Sequence, residues 1–282
     1  MKDKNKHITN IFVPTDFSAC AGYAVDAAMK FAERFGSTVH LYNCVDLPWN
    51  WHTLTSTERS KLPEKMQRIV NAETLLDKVK EDYPNIDITT VVSGGKFLEN
   101  VTNYVKNYGI DLVIMGSHGA SGKNEFFVGS NTQKAVRLIR RCPVLVVKNE
   151  VNNLNFKNVV YASSFNVNER ETFLKFKRMM MPFKPIIHLL AIHTSEFFDA
   201  PYIVQNAAMK DYTELAKPLT CKRHILRDFS VDSGARFFAE EIGASLIGIS
   251  NHYKHPLKRM LVGSNVEALV NHAESPVMAV DY

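Results

Sequence analysis

Cysteine is scarce in this chain and never paired at close range. Cys20, Cys44, Cys142 and Cys221 form no CxxC motif, which argues against a thiolate zinc site and a redox dithiol. No apolar run approaches the ~18 residues of a membrane-spanning helix. The opening Met-Lys-Asp-Lys-Asn-Lys-His-Ile-Thr-Asn lacks the apolar stretch of a secretory signal. These absences lead us to expect a cytoplasmic chain with free, mostly buried cysteines and no membrane partner. Charge of one sign is not concentrated either. The net charge is only +5 over 282 residues, without a basic run in either half. A nucleic-acid footprint clusters on one face or stripe, so no nucleic-acid partner is expected. The Gly-x4-Gly-Lys-Ser/Thr phosphate motif is missing, although Lys123 stands in a glycine-bearing segment. Glu125 is only a loop candidate for activating a water, and no Ser-His-Asp set is legible, so no catalytic residue is assigned. His252 and His255 lack a third ligand in sequence, and His188 and His193 fall on opposite faces of one strand by parity; no metal site is expected.

What the chain does contain is a repeat of itself. Residues 8–17 align with residues 156–165 at an offset of 148, and Val39-His-Leu41 aligns with Ile187-His-Leu189 at the same offset. Further on the offset falls to 134, where Ile110–His118 meets Ala244–His252 and Gly129-Ser-Asn131 meets Gly263-Ser-Asn265. Near the ends Cys142–Val147 matches Ser275–Val280. The order is kept throughout, and the first copy carries a longer segment after its second strand. A period this long indicates two complete domains, residues 1–149 and 150–282, joined through the polar stretch Asn149–Asn155.

Within the first copy, strands and helices alternate. The predicted strands are Asn10–Pro14, Val39–Val45, Ile88–Val92, Asp111–Met115 and Val144–Val147. The predicted helices are Ala21–Phe35, Ser56–Tyr83 with a break at Pro63, Leu98–Tyr108 and Asn131–Arg140. Alanines at helical spacing and the stop at Gly36 mark the first helix. Alternation of this kind implies an α/β fold, here two tandem doubly wound domains, each with a five-stranded parallel sheet flanked by helices. Ligands of such sheets bind beyond the carboxyl ends of the strands, where the strand order reverses. After Leu112-Val-Ile-Met115 the chain reads Gly116-Ser-His-Gly119, then nine residues, then Gly129-Ser130. A buried-type strand thus feeds a glycine-bearing loop that opens a helix. Small residues admit phosphate oxygens to backbone N–H groups, and a helix N-terminus adds unpaired donors and partial positive charge.

Together Val13-Pro-Thr-Asp16, Leu112–Gly119, the spacing to Gly129-Ser130 and Pro143–Val147 resemble the universal stress protein family in its tandem form. The resemblance covers essentially the whole chain. It implies an adenine nucleotide, ATP with Mg²⁺, as ligand. It implies that Asp16 meets the ribose or adenine edge, that Pro14 and Thr15 shape the adenine pocket, and that Cys44 and Met115 form its apolar walls. Gly116, Gly119 and Gly129 would let backbone approach the phosphates. Ser130 would reach the terminal phosphate or Mg²⁺, Asn131 would add a donor, and His118 could touch phosphate. Each has a plainer reading: Asp16 or Ser18 as a helix cap, Ser130 as a cap, the glycines as turn residues, Met115 as core and His118 as loop packing.

The second copy departs from this pattern, with Ser164 for Asp16, Ser250 for Gly116 and Tyr253 for Gly119. The expectation is a degenerate second domain that pairs with the first as the second subunit of a dimer would, and the resemblance implies that the seam runs along Pro143–Val147 and Pro276–Val280. An ATP-responsive interaction module in stress response, with an unknown protein partner, is the leading reading. A slow ATPase or a self-phosphorylating protein using Ser117, Ser121 or Ser130 is an alternative, as is an interaction protein without nucleotide. Further homodimerisation stays open.

Overall fold

Continuous β-branched and aliphatic runs form strands buried on both faces, as a parallel sheet requires. The structure, a computed structural model, describes residues 8–48, 51–118, 129–150, 156–194, 201–250 and 265–280. The first half contains β1 (Asn10–Pro14), α1 (Ala19–Phe35), β2 (Thr38–Val45), α2 (Ser56–Ser60), α3 (Pro63–Asp82), β3 (Ile88–Gly94), α4 (Phe97–Asn107), β4 (Leu112–Gly116), α5 (Ser130–Leu138) and β5 (Val144–Val147). The second contains β6 (Asn158–Ala162), α6 (Arg170–Met180), β7 (Ile186–His193), α7 (Tyr202–Ala216), β8 (Thr220–Arg227), α8 (Val231–Glu241), β9 (Ile247–Ser250), α9 (Asn265–His272) and β10 (Val277–Val280). Pro63 does break the long helical segment: α2 ends before it and α3 begins on it, because proline lacks the N–H that an interior turn needs.

The ten strands lie in one sheet in the order β3-β2-β1-β4-β5-β10-β9-β6-β7-β8. Every pairing is parallel except one. β5 and β10 run antiparallel, with Leu145 opposite Met278 and both side chains fully buried. The two expected five-stranded sheets therefore merge edge to edge, which removes one open edge from each. The order within each half reverses about its first strand: β1 lies between β2 and β4, and β6 between β7 and β9.

Two cores sandwich the sheet. Ile11, Val13, Leu112 and Ile114 face α1, and this layer runs without a break into the second half through Phe156, Phe173 and Phe176. Phe183 stacks edge-on against Phe31 and Phe156, with centroids 5.2 and 4.7 Å away. Phe12, Val113 and Met115 face the other way, toward Val101 and Val105 of α4 and Ala135 and Val136 of α5.

The repeat extends to polar groups. His40 and His188, equivalent in sequence, place Nε2 against the side-chain oxygens of the equivalent Asn10 and Asn158, at 3.2 and 3.3 Å. Their Nδ1 partners differ: Tyr104 hydroxyl for His40, and His224 Nε2 at 3.1 Å for His188. Burial, then the neighbouring His224 and Lys222, hold His188 down to about 4. Its folded value lies below its ordinary one of 6.5, so the folded state favours the neutral ring. The associated stability is present above 6.5 and is lost as pH falls from there toward 4. Thermal unfolding of wild type and His188→Gln across pH 7.5 to 4 checks this. The substitution should flatten the acid-side decline in Tm; parallel curves would refute the assignment.

Candidate functional site

Strand β1 ends where the strand order turns. β2 lies on one side and β4 on the other, with Pro14 in register with Tyr42 and Phe12 with Val113. This brings the carboxyl ends of β1 and β4 side by side, as a ligand crevice at the switch in order requires. Pro14 and Thr15 are buried there and Asp16 is exposed. Cys44, on β2, and Met115, on β4, belong to the same sheet face as Phe12.

The turn after β1 is tightly held. Thr15 N–H donates to the Tyr42 carbonyl at 2.8 Å, and the Thr15 carbonyl accepts from Asn43 Nδ2 at 2.8 Å. Thr15 Oγ1 accepts from Phe17 N–H at 3.0 Å, and Phe17 adopts φ of +62°, an uncommon conformation for a bulky residue. Ser18 caps α1 by accepting from Ala21 N–H. Asp16 Oδ1 in turn accepts from the Ser18 N–H at 3.1 Å and hydroxyl at 2.6 Å. Of the two capping candidates, Ser18 is the cap and Asp16 orients it. Asn43 carries no sequence signal as a site residue; only the β1–β2 register shows that it faces Thr15.

On the β4 side, Gly116 has an internal reason to be glycine. A Cβ there would stand 2.7 Å from the Cys20 carbonyl oxygen and 3.0 Å from Ala21 N. The first turn of α1 therefore crosses directly over β4, and this approach by itself excludes a side chain. Ser117 is fully buried; its N–H donates to the Val147 carbonyl at 2.8 Å, and its hydroxyl lies 2.7 Å from His118 Nδ1 and 3.4 Å from Cys20 Sγ. His118 Nε2 is buried with no hydrogen-bond partner among the described residues.

Gly129 and Thr132 are tied back to the end of β4. Gly129 N–H donates to the Ser117 carbonyl at 2.7 Å, and Thr132 Oγ1 donates to the Gly116 carbonyl at 2.9 Å. Gly119, Ser121, Lys123 and Glu125 lie outside the described residues, as do Tyr253, His252, His255, Gly263 and Ser264. α5 starts at the return. Its cap is Gly129, without a side-chain hydrogen bond, and its first turn has no acidic residue. This corrects the capping alternative for Ser130: that residue is exposed and already helical. The first N–H groups of α5 thus receive no side-chain cap from Gly129, an arrangement that favours an anion.

The described site residues therefore converge: Pro14, Thr15, Asp16, Cys44, Met115, Gly116, His118, Gly129, Ser130 and Asn131 all lie at the carboxyl ends of neighbouring strands or at the start of α5. The second half has the same turn with different contents. Phe165 adopts φ of +57° and its N–H donates to Ser163 Oγ at 2.9 Å, matching Phe17 and Thr15. Here, however, the buried Glu169 carboxylate accepts from the Ser163 and Ser164 hydroxyls at 2.5 and 3.0 Å. Gln205 Nε2 donates to the Ser164 carbonyl at 3.1 Å. A buried carboxylate occupies the place where the first half has only Ala21, its equivalent at the offset of 148.

The comparisons agree with this geometry. The model of the Universal stress protein family matches residues 7–148 and again 195–281. The chain belongs to the universal stress protein family. Universal stress protein YxiE of Bacillus subtilis is 32% identical over 152 residues, which cover 49% of this chain and 97% of that one. Such a relative is thus the length of one half. A solved universal stress protein from Archaeoglobus fulgidus covers 96% of this chain and 98% of its own, with a TM-score of 0.76 at 17% identity. A functionally unknown protein from Pseudomonas aeruginosa PAO1 gives 0.67 at 15% identity, covering 97% of this chain and 92% of its own. At these identities the two structures establish the shared fold.

The close approach at Gly116 gives a direct test. Gly116→Ala should destabilise the chain by about 1–3 kcal/mol, the usual cost of overpacking a filled interior. Urea unfolding measures it, and a change below ~0.5 kcal/mol would show that α1 does not press on β4 as described.

Proposed function

We propose that the first half, residues 1–149, is an adenine-nucleotide-binding domain, that residues 150–282 are its degenerate copy, and that the whole acts as an ATP-responsive interaction module. The observation that carries this reading is the uncapped start of α5, free of acid in its first turn and clamped to the end of β4 by the Gly129–Ser117 hydrogen bond. Beside it stands Nε2 of His118, without a hydrogen-bond partner among the described residues. Those donors fit a phosphate chain, while Asp16 fits the hydroxyl or amine donors of a nucleoside, since a carboxylate only accepts. Ser130 and Asn131 are exposed on the first turn, where a terminal phosphate with Mg²⁺ would meet them. Gly116 serves the phosphate site indirectly, by letting α1 seat against β4.

The same logic disqualifies the second half. Glu169 would set a buried negative charge against an incoming anion, and Ser164 offers no carboxylate to a ribose. A partner reads out binding in the first half through the segment between Ser117 and Gly129.

Calorimetric titration of ATP with Mg²⁺ tests this. Wild type should bind one equivalent, and Asp16→Ala combined with Gly129→Asp should abolish binding. Two equivalents would contradict the degenerate second half, and absence of binding at millimolar ATP would remove the nucleotide altogether.

A further inference from the structure

We propose that a second anion site lies at the other end of the sheet, in the cleft beneath the N-terminal ends of β4 and β5, and that it takes a small anion with two or more phosphate groups. The cleft has a volume of about 270 Å³. Its floor is apolar, with Val105, Ile110, Cys142 and Met179 all buried. Its rim carries Lys106 from the end of α4, Arg141 from the turn before β5, and Lys175 and Arg178 from α6 of the other half. Four cationic side chains from three elements thus converge on one opening.

Among the described residues the lining has a single carboxylate, Asp111, and it is turned toward β1. Its Oδ2 accepts from Thr9 N–H at 2.9 Å, Thr9 Oγ1 at 2.8 Å and Asn10 N–H at 3.2 Å. Lys106, Arg141 and Arg178 make no ion pair among the described residues.

The internal repeat supplies a control. At the offsets of 134, 133 and 148 that relate the halves, Lys106 corresponds to Glu240, Arg141 to Glu274, Lys175 to Ala27 and Arg178 to Lys30. The glycines that shape the two turns, Gly109 and Gly243, match in conformation with φ of +60° and +61°. The backbone frame is therefore met twice, and only one copy is cationic. The fold does not require these charges. Lys106, Arg141 and Arg178 bring positive charge without an ion pair among the described residues to one opening, which favours an anion there. Two arginines, one from each half, offer planar forks that suit phosphate oxygens, and the lysines add point charges. The volume exceeds that of one phosphate group, which favours an oligophosphate, either free or as the tail of a nucleotide.

The probe is sodium tripolyphosphate, titrated calorimetrically into the full chain carrying Gly129→Asp, which removes the start of α5 as a competing site. One equivalent should bind, and adding Arg141→Glu with Arg178→Glu should weaken it by at least about tenfold, since each reversal replaces attraction by repulsion at the rim. Arg141→Gln with Arg178→Gln should give a smaller loss in the same direction, and the far-ultraviolet circular dichroism of all variants should match. ATP titrated into the same Gly129→Asp chain separates the sources. No ATP binding leaves the free oligophosphate as the ligand, and ATP binding that the reversals weaken makes a nucleotide tail a ligand, its equivalent then belonging to this cleft and not to the turn of the second half. No tripolyphosphate binding to the Gly129→Asp chain, or affinity unchanged by both pairs of substitutions, would overturn the proposal.

Discussion

Everything in this molecule hangs on one antiparallel pairing in an otherwise parallel sheet. β5 and β10 are the last strands of their respective halves, and each would be an open edge alone. Joined through Val144–Ala279, Leu145–Met278 and Val146–Val277, they make ten strands continuous. The pairing also carries helices with it. Arg137 of α5 makes a two-pronged contact with Glu267 of α9 at 2.9 and 3.2 Å, and Gln133 of α5 donates to Asn271 at 3.0 Å. Lys148 Nζ reaches the Asn271 carbonyl at 2.6 Å. The second half thus braces the helix whose start forms the candidate phosphate site. Whatever it binds, the second half has a physical use, because it buries an edge and fixes α5.

Pseudo-symmetry then explains where the halves may differ. Positions that hold the frame are kept: the Phe17 and Phe165 turns, the His40–Asn10 and His188–Asn158 contacts, and the Gly109 and Gly243 turns all recur. Positions that face a crevice diverge. Ala21 against Glu169 and Asp16 against Ser164 distinguish one end of the sheet, and Lys106 against Glu240 and Arg141 against Glu274 distinguish the other. Duplication leaves a copy at each end free to change charge without disturbing the backbone, and this chain has changed it at both.

Much of this was legible in the sequence. The alternation of elements and the break at Pro63 follow from local chemistry, aliphatic runs and a missing N–H, whereas the seam at the two Pro-Val strands is what the family resemblance implies. Pairing of the site residues followed from the doubly wound order. The contacts that tune the site were not legible. Asn43 reaches Thr15 only because β1 and β2 pair in one register, and the reason for Gly116 is the backbone of Cys20, 96 positions earlier in the chain. Glu169 reads as an ordinary surface glutamate of a helix start, yet it folds inward onto two serines. His224 likewise shows itself as the partner of His188 only once β7 and β8 are in register. Such long-range placements depend on register and packing angle, which periodicity does not encode.

The central claim is that two equivalent turns share one frame while only the first receives the ligand. Hydrogen–deuterium exchange with and without ATP and Mg²⁺ tests it most directly, because both turns are read in one experiment. Slowed exchange at residues 15–18, 117–118 and 130–133, with residues 163–166 unchanged, is the result expected. Equal slowing at both turns, or slowing confined to residues 163–166, would contradict it.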